Sequence, residues 1–349
     1  MVAQERGATP ERLQDLLQRF PAADANRDGT LTEAEAATYA AQRRARKSAK
    51  GADASGVLVP PPTDLDIAYG SHARNTLDFW RAKSDAPTPV VVYIHGGGFV
   101  TGDKSGIRRD AFVHDCLAAG VSFAAINYRY LAPDAPLQEV LRDCARGVQF
   151  IRSKAAEWNI DKARIAAYGG SAGAGTSLWL AFHDDLADPE SADPVRREST
   201  RLTCVGSNQG QFSYDFLKWR DVFGADAIER FGGRYRDPRN YGLATVEEQN
   251  SAEGQKIRAD CDMLGLVTKD DPPVFINSTL PTLALENTNH FLHHPKHSYL
   301  VYQRLRELGV PVVATIPAMK IAPPKDGPAN LREFMFSHLD VKDSGTRAQ

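Results

Sequence analysis

Cysteine is scarce in this chain, with four residues in 349. Cys116, Cys144, Cys204 and Cys261 have neither the paired spacing of a zinc site nor the density of a disulfide scaffold. They read as small buried residues. A charge excess of either sign is also missing: 42 Lys and Arg stand against 44 Asp and Glu, a formal net charge of −2. No basic field therefore argues for nucleic acid or an anionic membrane as partner. No apolar run approaches the ~18 residues a membrane-spanning helix needs, and residues 1–10 lack the apolar centre of a signal peptide. With 42% apolar and 25% charged residues, the chain can bury one large core, with room left for something smaller.

Two glycine-rich stretches carry the chemistry. Residues 163–168 read as a short buried strand, and Ala172, Ala174, Ser177, Leu178 and Leu180 as a packed helix. Ser171 therefore sits in a strand-to-helix turn within Gly169-Gly170-Ser171-Ala172-Gly173. Glycines on both sides let a strained serine push its hydroxyl out at the top of a sheet. The second stretch, His95-Gly96-Gly97-Gly98-Phe99, follows the β-rich run 89–94. Without side chains, the amides of Gly97 and Gly98 can approach a developing oxyanion, a contact that lowers a barrier by roughly 2.7–4 kcal/mol. The Ala172 amide would complete that hole.

Strand-like runs at 65–69, 76–80, 90–94, 122–127, 164–168, 201–206, 273–277 and 310–316 alternate, after the first three, with helical stretches. The fold class this predicts is α/β. Leu137, Val140, Leu141, Cys144, Val148 and Ile151 recur at helical spacing, and Leu331, Phe334, Met335 and Leu339 mark a terminal helix.

HGGGF at 95–99 with Gly102-Asp103-Lys104-Ser105, Asn127-Tyr128-Arg129 with Ala132-Pro133, and GGSAGA at 169–174 together resemble the α/β-hydrolase superfamily. The resemblance is to esterases and lipases of the hormone-sensitive-lipase and xylan-esterase type. It spans residues 63–342 and implies a mostly parallel central sheet with helices on both faces. It also implies a serine carboxylesterase acting on small acyl or acetyl esters, carbohydrate-linked ones among them. The acyl-enzyme would form at Ser171, with Gly97, Gly98 and Ala172 holding the oxyanion. Residues 183–262, charged and spotted with Phe212, Tyr214, Phe216, Trp219 and Phe223, read equally as a lid or as ordinary excursions around one strand.

The chain departs from that family where the acid and the histidine belong. In this fold the order is nucleophile, acid, histidine, each at the C-terminal edge of the sheet. Asp270 and Asp271 precede the strand 273–277 and lie roughly 20 Å from that edge. Past the strand, Glu286 is the one acidic residue before Pro295, and residues 317–328 hold no histidine. His338, ~13 Å along the terminal helix, points away. The acid loop itself is rich in imidazoles, and His290, His293 or His294 is the expected general base toward Ser171. A catalytically inactive relic, a calcium-stabilised scaffold for a ligand or partner, is the competing expectation. A transferase would differ only in what attacks the acyl-enzyme.

Ahead of the large domain, Asp24, Asn26, Asp28, Thr32 and Glu35 occupy positions 1, 3, 5, 9 and 12 of a twelve-residue loop with Gly29 at position 6 and Thr30 at 7. That is EF-hand order, with Thr30 supplying its carbonyl and Glu35 two oxygens, so structural Ca²⁺ is the expected cofactor. Leu31, at the position through which such hands pair, finds no second loop in the chain. The hand is left to dock on the larger domain or on another copy in a homodimer. A calcium loop works most simply outside the cytosol, which points to an extracytoplasmic setting. The expected organisation is a helix-loop-helix over 1–45, a basic and then proline-rich linker over 46–62, the hydrolase domain over 63–342 and a tail over 343–349.

Overall fold

The computed structural model describes residues 59–341 and, ahead of them, Leu13, Gln14, Leu17, Ala23, Asp24, residues 29–32, Glu35 and Tyr39. The chain divides into two compact units, Met1–Leu58 and Val59–Gln349.

The larger unit is built on one eight-stranded sheet. Its strands are β1 (Asp64–Ala68), β2 (Thr76–Trp80), β3 (Thr88–Ile94), β4 (Ser122–Ile126), β5 (Ile160–Gly170), β6 (Val205–Asn208), β7 (Val274–Asn277) and β8 (Val312–Thr315). They lie in the order β1-β2-β4-β3-β5-β6-β7-β8. β2 runs antiparallel to both β1 and β4, and the remaining pairs are parallel. This is the mostly parallel sheet that the glycine motifs and strand pattern lead one to expect. The sixth strand sits later than the apolar pattern over 201–206 predicts. β5 continues through Gly169 and Gly170, and its ladder carries the polar Ser207 and Asn208 into the sheet.

The strand interiors alternate with a period of two, and both faces are covered. Val90, Val92, Ile94, Ala124, Ile126, Ile165 and Ala167 face one layer. Val91, Phe123, Ala125, Ala166 and Tyr168 face the other. The helices that close these layers are α1 (Ala111–Ala118), α2 (Leu137–Ser153), α3 (Ala172–Phe182), α4 (Thr288–Leu292), α5 (Pro295–Leu308) and α6 (Leu331–His338). α2 turns Val140, Leu141, Cys144, Val148 and Ile151 into the first layer, while α1 and α6 bring Val113, Cys116, Phe334 and Met335 to the second. All four cysteines are buried and unpaired. His338 lies tilted against the Phe334 ring at 4.3 Å and its Nδ1–H donates to the Phe334 carbonyl at 2.8 Å. No helix among the described residues is long and apolar enough to cross a membrane.

One backbone contact sets the position of the site. α3 is buried along its whole length, and its first turn lies against the C-terminal end of β3. A Cβ on Gly173 would overlap the Ile94 carbonyl oxygen, so only glycine lets the turn after β5 sit beside the loop after β3. Gly173→Ala is expected to cost about 1–3 kcal/mol of unfolding free energy, measured as a lower urea midpoint at unchanged slope.

Candidate active site

Ser171 stands between β5 and α3 at φ 55°, ψ −120°, a left-handed conformation that non-glycine residues adopt only when their surroundings hold them there. Its N–H donates to the Asn208 carbonyl at 2.9 Å, and its own carbonyl accepts from Gly175 at 3.0 Å. Tyr214 Oη clamps the next residue by donating to the Ala172 carbonyl at 2.6 Å.

Opposite this turn lies the glycine loop after β3. Gly97 adopts φ +115°, and a Cβ there would overlap the Thr101 carbonyl. The Gly97 carbonyl accepts from the amides of Val100 and Thr101, both at 3.2 Å, closing the loop into a tight turn. His95 anchors its base. Nδ1–H donates to the Gly96 carbonyl at 2.7 Å, the ring stacks on Tyr128 at 4.2 Å, and burial pulls its pKa down to about 4. The ring is therefore neutral and serves as a structural pin. Among the described residues, the amides of Gly97, Gly98 and Ala172 donate to no hydrogen bond, and all three residues line the hollows around Ser171.

The expected bases separate cleanly. His293 Nε2 lies 2.7 Å from Ser171 Oγ. His290 and His294 are not brought to the serine. The Nε2–H of His290 donates to the Thr282 carbonyl at 3.1 Å and that of His294 to the Leu283 carbonyl at 3.0 Å, while His294 Nδ1 accepts from Lys296. These two rings tie down the loop that follows β7. The difference comes from α4. Asn287 caps it by accepting from the His290 amide at 2.9 Å, the helix ends at Leu292, and His293 is its first residue beyond. Gln211 fixes that end by donating to the Leu292 carbonyl at 2.7 Å.

Glu286 is corrected as the orienting acid. It is exposed, and the contact that holds His293 is instead its Nδ1, 2.9 Å from the carbonyl oxygen of Asn289. A carbonyl can only accept, so Nδ1 carries the proton and Nε2 faces the hydroxyl as an acceptor. Sequence reading has no signal for a backbone orienter. The ring is half-buried, and that burial lowers its pKa below the ordinary histidine value against the pull of the Asn289 carbonyl. The arrangement can accept the serine proton at neutral pH.

Two hollows meet at Ser171. A narrow one of about 20 Å³ runs between Phe99, Ala172, Tyr214, Phe216 and Trp219. An open cleft of about 570 Å³ has Gly98, Asn208, Gln209, Arg234, Tyr235 and His293 in its walls. Phe216, Trp219, Arg234 and Tyr235 all come from the segment between β6 and β7. The aromatic spotting of that segment was visible in the sequence, whereas Arg234 and Tyr235 carried no motif.

A model of the BD-FAE family matches residues 77–279, more than half of the chain. The chain belongs to the BD-FAE family. The family match takes in the glycine loop, Ser171 and β7, and ends ahead of His293. The chain is 27% identical over 171 residues to the probable isoprenylcysteine alpha-carbonyl methylesterase ICMEL1 of Arabidopsis thaliana, covering 49% of this chain and 35% of that protein. It is 31% identical over 163 residues to the probable carboxylic ester hydrolase LipM of Mycobacterium tuberculosis, covering 46% and 36%. The matched stretch thus spans about a third of each relative's length. Among solved structures, an acetyl ester-xyloside bifunctional hydrolase from Caldicellulosiruptor lactoaceticus superposes with a TM-score of 0.54 at 19% identity, covering 74% of this chain and 86% of its own. Esterase B from Lactobacillus rhamnosis superposes at 0.55 and 17%, covering 81% and 82%. These likenesses, at such identities, concern the fold.

In the smaller unit, Asp24, Thr30, Thr32 and Glu35 of the EF-hand order are described, while Asn26 and Asp28 lie outside the described residues. Gly29, at φ +81°, donates its amide to Asp24 Oδ2 at 2.9 Å. Glu35 Oε2 accepts from the Thr32 amide at 3.0 Å and Thr32 Oγ1 accepts from the Glu35 amide at 3.2 Å, a reciprocal helix cap.

Because burial lowers the His293 pKa below the ordinary histidine value, the rate of Ser171 labelling by a fluorophosphonate is expected to rise with pH through a midpoint below about 6.5 and to level off by about pH 8. His293→Ala is expected to slow the labelling at least about a hundredfold, followed by intact-protein mass.

Proposed function

We propose that this protein is a serine carboxylesterase that cleaves small acyl esters, acetyl esters above all, with His293 as general base and no carboxylate behind it. The observation that carries the reading is the 2.7 Å contact between His293 Nε2 and Ser171 Oγ. In the first half-reaction Ser171 Oγ attacks the ester carbonyl carbon while its proton passes to His293 Nε2. The carbonyl oxygen gains negative charge among the amides of Gly97, Gly98 and Ala172. Collapse returns the proton from Nε2 to the departing alcohol. Water then repeats the sequence on the acyl-enzyme.

The Asn289 carbonyl does two of the tasks that an acid has in a full triad. It selects the Nδ1–H tautomer, the failure of which accounts for a loss of about 10⁴ in serine proteases that lack their aspartate. It also accepts a hydrogen bond from the imidazolium, and hydrogen bonds to charged groups contribute roughly 1.5–3 kcal/mol. A full negative charge is what it lacks.

The narrow hollow beside Ser171 supports a small acyl group. At about 20 Å³ it has room for roughly one water-sized group, the size of an acetyl methyl. On nitrophenyl esters, kcat/KM is expected to fall at least about tenfold from acetate to butyrate, since overfilling a packed pocket costs about 1–3 kcal/mol. Ser171→Ala is expected to abolish turnover. Equal rates for wild type and Ser171→Ala would overturn the reading in favour of a ligand-binding relic.

We further propose that the N-terminal loop holds one structural calcium ion. Asp24, Thr30, Thr32 and Glu35, with Asn26 and Asp28, supply the oxygen donors a hard cation takes, and the Gly29–Asp24 hydrogen bond curls the loop. Calorimetric titration of the chelator-treated chain with calcium is expected to give one site, lost in Glu35→Gln. An absence of heat would overturn it.

A further inference from the structure

Four arginines crowd residues 230–239, and three are neutralised. Arg230 pairs with Asp226 at 3.3 Å, Arg236 with Glu229 at 2.6 Å and Arg239 with Asp237 at 2.6 Å. Arg234 has no carboxylate partner among the described residues, and it is the one that lines the cleft beside Ser171. Its Nη2 donates to the Gly98 carbonyl at 2.9 Å and to Tyr235 Oη at 3.1 Å. The guanidinium lies directly over the glycine loop, so a Cβ on Gly98 would stand 2.6 Å from Nη2. Nε and Nη1 make no hydrogen bond to the described residues and remain as donors.

The rest of the cleft supplies no opposing charge. None of its lining residues is acidic, and the orienter of His293 is a neutral carbonyl. An unpaired guanidinium on a wall without carboxylates attracts an anion, and its planar fork matches a carboxylate. Arg234 lines the open cleft and not the narrow hollow assigned above to the acyl group, so an anion it binds belongs to the alcohol side of the ester.

We propose that Arg234 selects esters whose alcohol portion carries a carboxylate. This rests on the esterase reading and names the substrate class of the same site. The probes are 4-acetoxybenzoate and 4-acetoxybenzamide, close in shape and different in charge, each corrected for its rate of hydroxide hydrolysis. The wild-type preference for the benzoate in kcat/KM is expected to fall at least about tenfold in Arg234→Gln, to recover in part in Arg234→Lys and to weaken at 500 mM salt. A preference unchanged in Arg234→Gln, or equal losses on both esters, would overturn the proposal and leave Arg234 as a brace for the glycine loop. Binding of 4-hydroxybenzoate against 4-hydroxybenzamide to Ser171→Ala reads the same charge preference without turnover. If wild type hydrolyses neither ester, the esterase reading falls, and the binding comparison still decides this one: equal affinities overturn it.

Discussion

At the C-terminal end of β3, the carbonyl of Ile94 lies so close to the first turn of α3 that no side chain fits at Gly173. The nucleophile and the glycine loop are placed by that contact. It sets the Ser171 turn beside the glycine loop, and the parallel ladder from Val90 to Ile94 against Ile165 to Gly169 holds the two strand ends level. A sheet buried on both faces is stiff enough to keep the arrangement, with α2 and α3 on one layer and α1 and α6 on the other. The strained backbone of Ser171 persists because its neighbours fix it from both sides, through the Asn208 carbonyl and the Gly175 amide.

The imidazole reaches the serine from an uncommon direction. It leaves the end of a five-residue helix after β7, and the carbonyl that orients it belongs to that helix's own backbone. A base and its orienter built from one short segment need only one loop to be positioned. His290 and His294 hold that loop through Thr282 and Leu283. Burial of His293 outweighs the opposing pull of the orienting carbonyl, and the ring is left uncharged before the reaction begins.

Much of the architecture was legible because buried strands announce themselves. Val90 to Ile94, Ser122 to Ile126 and Arg164 to Tyr168 carry the apolar runs that a covered sheet requires. Ser207 and Asn208 do not, and they join the sheet because β5 and β7 both continue beside them. The Ser171 turn and the glycine loop could be read from residue type, since glycine is the residue that permits backbone to touch backbone. The choice among three histidines could not, because it depends on where α4 stops. The Asn289 carbonyl was beyond reach, as every residue has one. Glu286 attracted attention as the one carboxylate in the right loop, yet the site uses a main-chain dipole there. Arg234 is one of four arginines over residues 230–239, and the ion pairs of the other three set it apart.

With the imidazole supplied from between β7 and α5, the chain beyond α5 packs the sheet without touching the serine. β8 closes one edge, α6 covers the layer around Phe275, and the mostly exposed turn over 322–330 joins them. That turn is a natural grafting point. A fluorescent reporter, an affinity handle or an appended domain inserted there would load the scaffold's rim at residues that line neither hollow at Ser171.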